Sequence, residues 1–314
     1  YFGGGTPSLM DIEEIEQVLA AIKSNFDIRP QAEITLEANP DDISEQKLII
    51  WKKMGINRLS IGIQSFFEED LKWMNRAHNA DQAINCLHLA TQFFDNITID
   101  LIYGVPGLTN EKWKQNVNTA IALGIPHLSC YALTVEPKTP LDKLIRNQKK
   151  EKVDEEKQSE QFLLLMQWLA ESGYEHYEIS NFAKPGFRSR HNSSYWKGEG
   201  YLGIGPAAHS FNGAERWWNI ANNQKYIEAI SEGIIPFEKE ELTTVQKLNE
   251  YLMISLRTIE GIEIKRIGES YLFELLKKAE KHILNKSILK TESFLKLTDT
   301  GKLYADGIAA DLFF

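Results

Sequence analysis

The 314-residue chain carries a net charge of -9, and 43% of its residues are hydrophobic. That length suits one large domain, or a large domain with a small appendage, and it can bury a sizeable core. The acidic balance argues against general affinity for nucleic-acid backbones, which needs clustered Lys and Arg. Two cysteines, Cys86 and Cys130, make no disulfide framework and suit a reducing compartment. The longest apolar runs, such as Phe162 to Met166, are far too short to span a bilayer, and no signal peptide is visible. The expectation is a soluble, cytoplasmic, globular protein without an integral membrane segment.

In chain order, Tyr1-Phe2 reads as the end of a strand running into Gly3-Gly4-Gly5-Thr6-Pro7. A chain that begins inside a strand is expected to have lost its natural start. Three glycines leave backbone amides that no side chain shields. Thr6 suits an N-cap and Pro7 a first helical position, so a helix N-terminus is expected to aim its donors at whatever the glycines cradle. Apolar spacing then predicts helices over 11–26, 44–54, 81–94, 109–123 and 153–171. Strands are predicted at 34–36, 58–63, 97–103, 127–133 and 176–179. This alternation implies a parallel sheet, and so many units favour a closed or partial barrel over a short open sheet. The segment 186–219, rich in Gly, aromatic and polar residues, reads as an ordered loop region. From about Lys239 the chain turns helical and charged. The division expected is a barrel with its extension over 1–235 and a small, mostly helical domain over 236–314.

In a parallel barrel the chemistry sits at the C-terminal ends of the strands. Successive strand ends here offer Gly4, Gly5 and Thr6, then Glu37, then Gln64, then Asp100, and finally Tyr131-Ala132. Alone, each is more simply a turn glycine or a solvated loop residue. In phase, they describe a site rich in hydrogen-bond partners for a polar, cationic ligand, such as one bearing an ammonium and ribose hydroxyls.

The segments GGGTP, LEANP, SIGIQSF, NRAH, DLIYGVPG and LTDTGK resemble the radical S-adenosylmethionine (SAM) superfamily. The branch is that of oxygen-independent coproporphyrinogen III oxidase and HemW, and the likeness covers nearly the whole chain. It implies an α/β fold with a (β/α)6 partial barrel, entered here at its second strand. It also implies SAM contacts from Gly4, Gly5, Thr6, Glu37, Gln64, Arg76, Asp100 and Ala132. The superfamily binds a 4Fe-4S cluster through three cysteines in a CxxxCxxC loop after the first strand, and this sequence contains no such loop. Cluster ligation needs thiolates gathered in space. Cys86 and Cys130 are single residues on a predicted helix and a predicted strand, and they read as small buried side chains.

The segment Arg190-His191-Asn192-Ser193-Ser194-Tyr195-Trp196 resembles the HNxxYW motif of HemW-type proteins, which is tied to haem binding and which the oxidases lack. A neutral imidazole can ligate haem iron, Tyr and Trp offer flat surfaces, and Arg188 or Arg190 can pair with propionates. On these residues alone, an equal reading is that His191 caps a loop while Tyr195 and Trp196 pack the barrel mouth; the resemblance favours haem, with His191 as candidate iron ligand. His209 is a second candidate ligand. His88 and His127 read as structural, whereas His78 lies close to Arg76. Trp217-Trp218 reads as core before it reads as a floor for a planar ligand.

Two functions follow from the resemblance. One is a haem chaperone that passes haem to an acceptor haemoprotein. The other is the oxidase, which converts two propionates of coproporphyrinogen III to vinyl groups. A weaker third is a non-radical barrel holding a phosphate ligand. The sequence does not fix whether the chain acts as a monomer or a homodimer.

Overall fold

The computed structural model describes all residues 1–314. It divides into two compact units, Tyr1–Arg188 and Ser189–Phe314.

The first unit is built on a six-stranded sheet: β1 (Thr35–Ala38), β2 (Arg58–Gln64), β3 (Ile97–Tyr103), β4 (His127–Ala132), β5 (Glu175–Glu178) and β6 (Asn181–Ala183). The strand order is β1-β2-β3-β4-β6-β5, and the first four are parallel. Phe2 extends this edge by a single parallel bridge to Leu36, its N–H donating to Thr35 O at 2.8 Å. The helices are α1 (Ile12–Asn25), α2 (Glu45–Met54), α3 (Glu68–Trp73), α4 (Ala80–Ala90), α5 (Asn110–Ala122), α6 (Pro140–Arg146) and α7 (Glu155–Glu171). Their starts follow local chemistry. Asp11 with Glu14, and Asn79 with Gln82, form capping boxes on α1 and α4. The side chains of Ser44, Thr109 and Asp154 accept from the first-turn amides of α2, α5 and α7. Gly55, at φ 102°, closes α2 in the left-handed region that favours glycine. Leu36, Leu59, Ile61, Ile97, Ile99, Leu101 and Leu128, strand residues with no exposed surface, form the core beneath the helices.

The α/β partial barrel expected from the sequence is present, with one departure. The strand expected at 176–179 does not extend the parallel series. β5 and β6 form a hairpin, and β6 runs antiparallel to β4. Only Ile179 and Ser180 separate the two strands, too few residues for the crossover a parallel neighbour needs.

The second unit contains α8 (Arg190–Trp196) and an antiparallel sheet of β7 (His209–Phe211), β8 (Glu215–Asn219) and β9 (Phe237–Glu241), with α9 (Asn223–Ser231) between β8 and β9. Then come α10 (Thr244–Leu256), β10 (Ile262–Glu263), α11 (Glu269–Leu284), β11 (Ile288–Lys290), β12 (Phe294–Leu297), α12 (Asp299–Lys302) and α13 (Ala305–Leu312). Leu252, Leu256, Ile262, Leu275, Leu295 and Leu312 form the core of this latter part. The boundary expected at 235/236 is therefore displaced to 188/189. A cut at 236 would separate β9 from β8, whose five registered residue pairs make them one sheet. The stretch 186–219 is likewise not all loop, since it holds α8, β7 and β8. No helix of the chain is long and apolar enough to cross a membrane.

Candidate functional site

A polar cavity of about 190 Å³ opens at the C-terminal ends of β1, β2 and β3. Ser60, Gly62 and Gln64 line it from alternate positions of β2, as side chains two apart on a strand share a face. Glu37 and Ala38 come from β1, Asp100 from β3, Gly5 and Thr6 from the glycine loop, and Arg76 from the connection between α3 and α4. Five of the eight residues expected to converge at this rim, together with Arg76 from the connection, therefore share one cavity. Gly4 adjoins it and donates its N–H to Glu37 Oε2 at 3.3 Å. Ala132 ends β4 opposite Tyr103 and is not part of the cavity wall.

The glycine loop departs from expectation in one respect. Thr6 makes no capping bond, and the helix after it is a three-residue 3-10 turn, Pro7–Leu9, with α1 starting separately beyond Asp11. Met10 is extended, at ψ 146°, and this breaks the path from Pro7 into α1. The loop therefore offers bare backbone instead of a long helix N-terminus.

Glu37 is held on two sides. Besides Gly4, it accepts from the Tyr1 hydroxyl at 2.6 Å. Gly3 permits this packing, since a Cβ there would lie 2.5 Å from the Tyr1 ring and 2.7 Å from the Glu37 carboxylate. Gln64 adopts φ 61°, a left-handed conformation that side-chain-bearing residues rarely hold without cause. Its Oε1 is buried without a hydrogen-bond partner, and so is Arg76 Nε. Arg76 Nη2 donates to Asn39 Oδ1 at 3.3 Å, and burial lowers the pKa of its guanidinium. Burial, and then the Glu37 charge, raise the Asp100 carboxyl to about 7, against the opposing pull of Arg58, a hydrogen bond to Ser129, and Arg76. Residues carrying one unpaired acceptor, one unpaired donor and two neighbouring carboxylates thus line a small cavity. Such a set fits a cationic ligand that also carries hydrogen-bonding groups.

In the second unit, α8 begins at Ser189, whose hydroxyl accepts from Asn192 N–H at 3.2 Å. His191 and Tyr195 lie one helical turn apart with ring centroids at 4.8 Å and planes at 89°. Trp196 carries the Arg257 guanidinium over its ring at 5.7 Å, and its indole nitrogen is buried without a partner. His191 therefore sits in the first turn of a short helix.

The remaining histidines separate by environment. His127 is fully buried between Thr98 Oγ1 at 2.5 Å and the Tyr177 hydroxyl at 2.7 Å, and burial lowers its pKa strongly. His78 is buried against Ile63 O at 3.1 Å. His88 is exposed on α4. Sequence reasoning passed over Ser60, Gly62 and Tyr1. The period-two spacing of Ser60 and Gly62 with Gln64 was the available signal, whereas nothing local marks Tyr1 as a partner of Glu37.

A model of the Radical SAM superfamily matches residues 1–153. The heme chaperone HemW of Bacillus subtilis is 34% identical over 98% of this chain and 83% of its own length. That of Lactococcus lactis is 34% identical over 86% of this chain and 72% of its own length. The chain belongs to the HemW family of the radical SAM superfamily. The solved structure of the coproporphyrinogen III oxidase HemN from Escherichia coli superposes with a TM-score of 0.84 over 99% of this chain and 76% of that one. At 22% identity, it shows that the HemW-family chain has the same fold.

The superfamily's 4Fe-4S cluster does not fit the thiols of this HemW-family chain. Cys86 is buried on α4, donates its S–H to Ala83 O at 3.2 Å, and is raised by burial to about 12. Cys130 is buried in β4, and its thiol is also pushed up. No group of three or more His, Cys, Asp or Glu is placed to hold a metal ion.

Proposed function

We propose that the chain is a haem chaperone of the HemW type, which holds haem on its second unit and delivers it to an acceptor haemoprotein. The observation that carries this reading is the 34% identity to a heme chaperone across 98% of the chain and most of the relative. The likeness to the oxidase HemN, at 22% identity, carries the fold and nothing of that enzyme's reaction.

On this reading the cavity of the first unit takes SAM. Gly4 and Gly5 present backbone to its amino-acid portion, with Thr6 beside them. Glu37 and Asp100 offset its positive charge, while Gln64 and Arg76 satisfy their buried atoms on its polar groups. Ala132, at the neighbouring strand end, is a contact only if the ligand reaches beyond the cavity wall. When bound, SAM supplies radical chemistry wherever a cluster donates an electron to it.

Haem lies on α8 in this proposal, with the His191 imidazole on iron and Tyr195 and Trp196 against the macrocycle. Two free thiols suit the reducing environment of the cytoplasm. Sedimentation of the haem-loaded protein distinguishes a monomer from a homodimer. Titrating haem into the full-length protein and into His191→Ala tests the ligand. The expected result is haem affinity reduced about tenfold or more, the scale on which removing a supporting metal-site group acts. An unchanged band and affinity would overturn the assignment.

A further inference from the structure

A row of aromatic rings leaves α8 and ends at Phe211 on β7, the strand that also bears a second imidazole, His209. Tyr195 packs against Tyr201 with centroids 4.6 Å apart, and Tyr201 against Phe211 at 6.1 Å. Tyr201 and Phe211 also exchange backbone hydrogen bonds at 2.8 and 2.9 Å, which fixes the row to β7. On β7, His209 and Phe211 share one face while Ser210, between them, is fully buried. His209 lies opposite Trp218 on β8, with ring centroids 6.2 Å apart. His209 itself is exposed.

The loop leading into His209 is built to hold apolar groups in the open. Leu202 and Ile204 are 60% and 70% exposed. The backbone around them is nevertheless pinned. Gly203 N–H donates to Ser210 Oγ at 2.9 Å, Asn219 Nδ2 donates to Gly205 O at 2.8 Å, and Ala207 N–H donates to Ile220 O at 3.2 Å. Gly203 lies so close to the backbone of His209 that a Cβ would collide with its carbonyl. Ala207 sits at φ 58°, a conformation alanine adopts only when its surroundings impose it. Exposed large apolar side chains on a fixed loop mark a binding surface more than a flexible tip.

We infer that His209, backed by Trp218 and preceded by the loop that exposes Leu202 and Ile204, is a second haem-binding station, separate from His191 and carried on the strand where the aromatic row from α8 ends. The ligand chemistry is that of a planar, apolar macrocycle with a central metal. A neutral imidazole supplies a lone pair to the iron, Trp218 supplies a ring beside it, and the two aliphatic side chains cover the macrocycle edge. This inference rests on the haem reading of α8. It adds a place where haem rests when it is not on His191.

The test is a titration of ferric haem into the full-length protein and into His191→Ala, His209→Ala and the double variant, with far-ultraviolet circular dichroism as the folding control. His191→Ala is expected to keep a saturable, imidazole-type Soret band at higher haem concentration, and the double variant to lose it. Leu202→Ser with Ile204→Ser in the His191→Ala background is expected to weaken that residual band, a readout that leaves the imidazole in place. A residual band indifferent to His209, or no residual band in folded His191→Ala, would overturn the second station. No Soret band in the wild-type protein would instead overturn the haem reading itself.

Discussion

At Asp100, one carboxyl group decides how the cavity answers pH. Its pKa is raised from 3.8 to about 7 in the folded chain. Between those values the folded protein keeps a proton that the unfolded chain has released, so stability falls as pH rises through this window and levels above it. A cationic ligand counters that loss by pairing with the ionised group. SAM binding is therefore expected to tighten as pH rises from 6 to 8, and to lose this dependence in Asp100→Asn; calorimetric titration across the range checks both. Gly3 sets a second expectation. Gly3→Ala places a Cβ 2.5 Å from the Tyr1 ring and 2.7 Å from the Glu37 carboxylate, so it displaces the carboxylate the cavity needs. SAM affinity should fall about tenfold or more while the melting temperature moves little, because Gly3 is exposed. Comparing the two measurements on one variant separates a site effect from unfolding.

Among the elements, how well each could be read tracked how local its cause was. The strands ending at Gln64 and Tyr103 and the helices opened by Ser44 and Thr109 were legible, because apolar period and cap lie within a few residues. The short helix α3 and the strand β6 were not. β6, of three residues, exists through its pairing with β4 and β5, and no local pattern announces such a partner. Arg76 entered the site from a loop and was legible only through family likeness. α8, read as loop, is a seven-residue helix that depends on its cap. Ser189→Ala should cost about 0.5–2 kcal/mol of local helix stability. The expected outcome is faster amide exchange across 190–196 and weaker haem binding, with the SAM titration unchanged. In the first unit Trp113 is fully buried, packs 5.7 Å from Tyr103, and donates from its indole nitrogen to Gln161 O at 3.2 Å. Trp113→Ala should cost about 3–5 kcal/mol, read as a lowered denaturation midpoint.

Across the whole molecule, the two compact units differ in character: residues 1–188 hold a small, polar, charged cavity and residues 189–314 a cluster of aromatic rings. Leu275 is fully buried in the core of the second unit, so Leu275→Ala should cost about 2–5 kcal/mol there while SAM binding persists. The proposed function also separates carrying haem from making it. A carrier releases its tetrapyrrole with every bond intact, whereas an oxidase removes two carboxyl groups as it works. The most direct measurement is anaerobic incubation of the protein with SAM, a reductant and either haem or coproporphyrinogen III, followed by chromatography of the recovered tetrapyrrole. Haem bound and returned unaltered, with no conversion of coproporphyrinogen III, is the result expected; repeated turnover to protoporphyrinogen IX would contradict it.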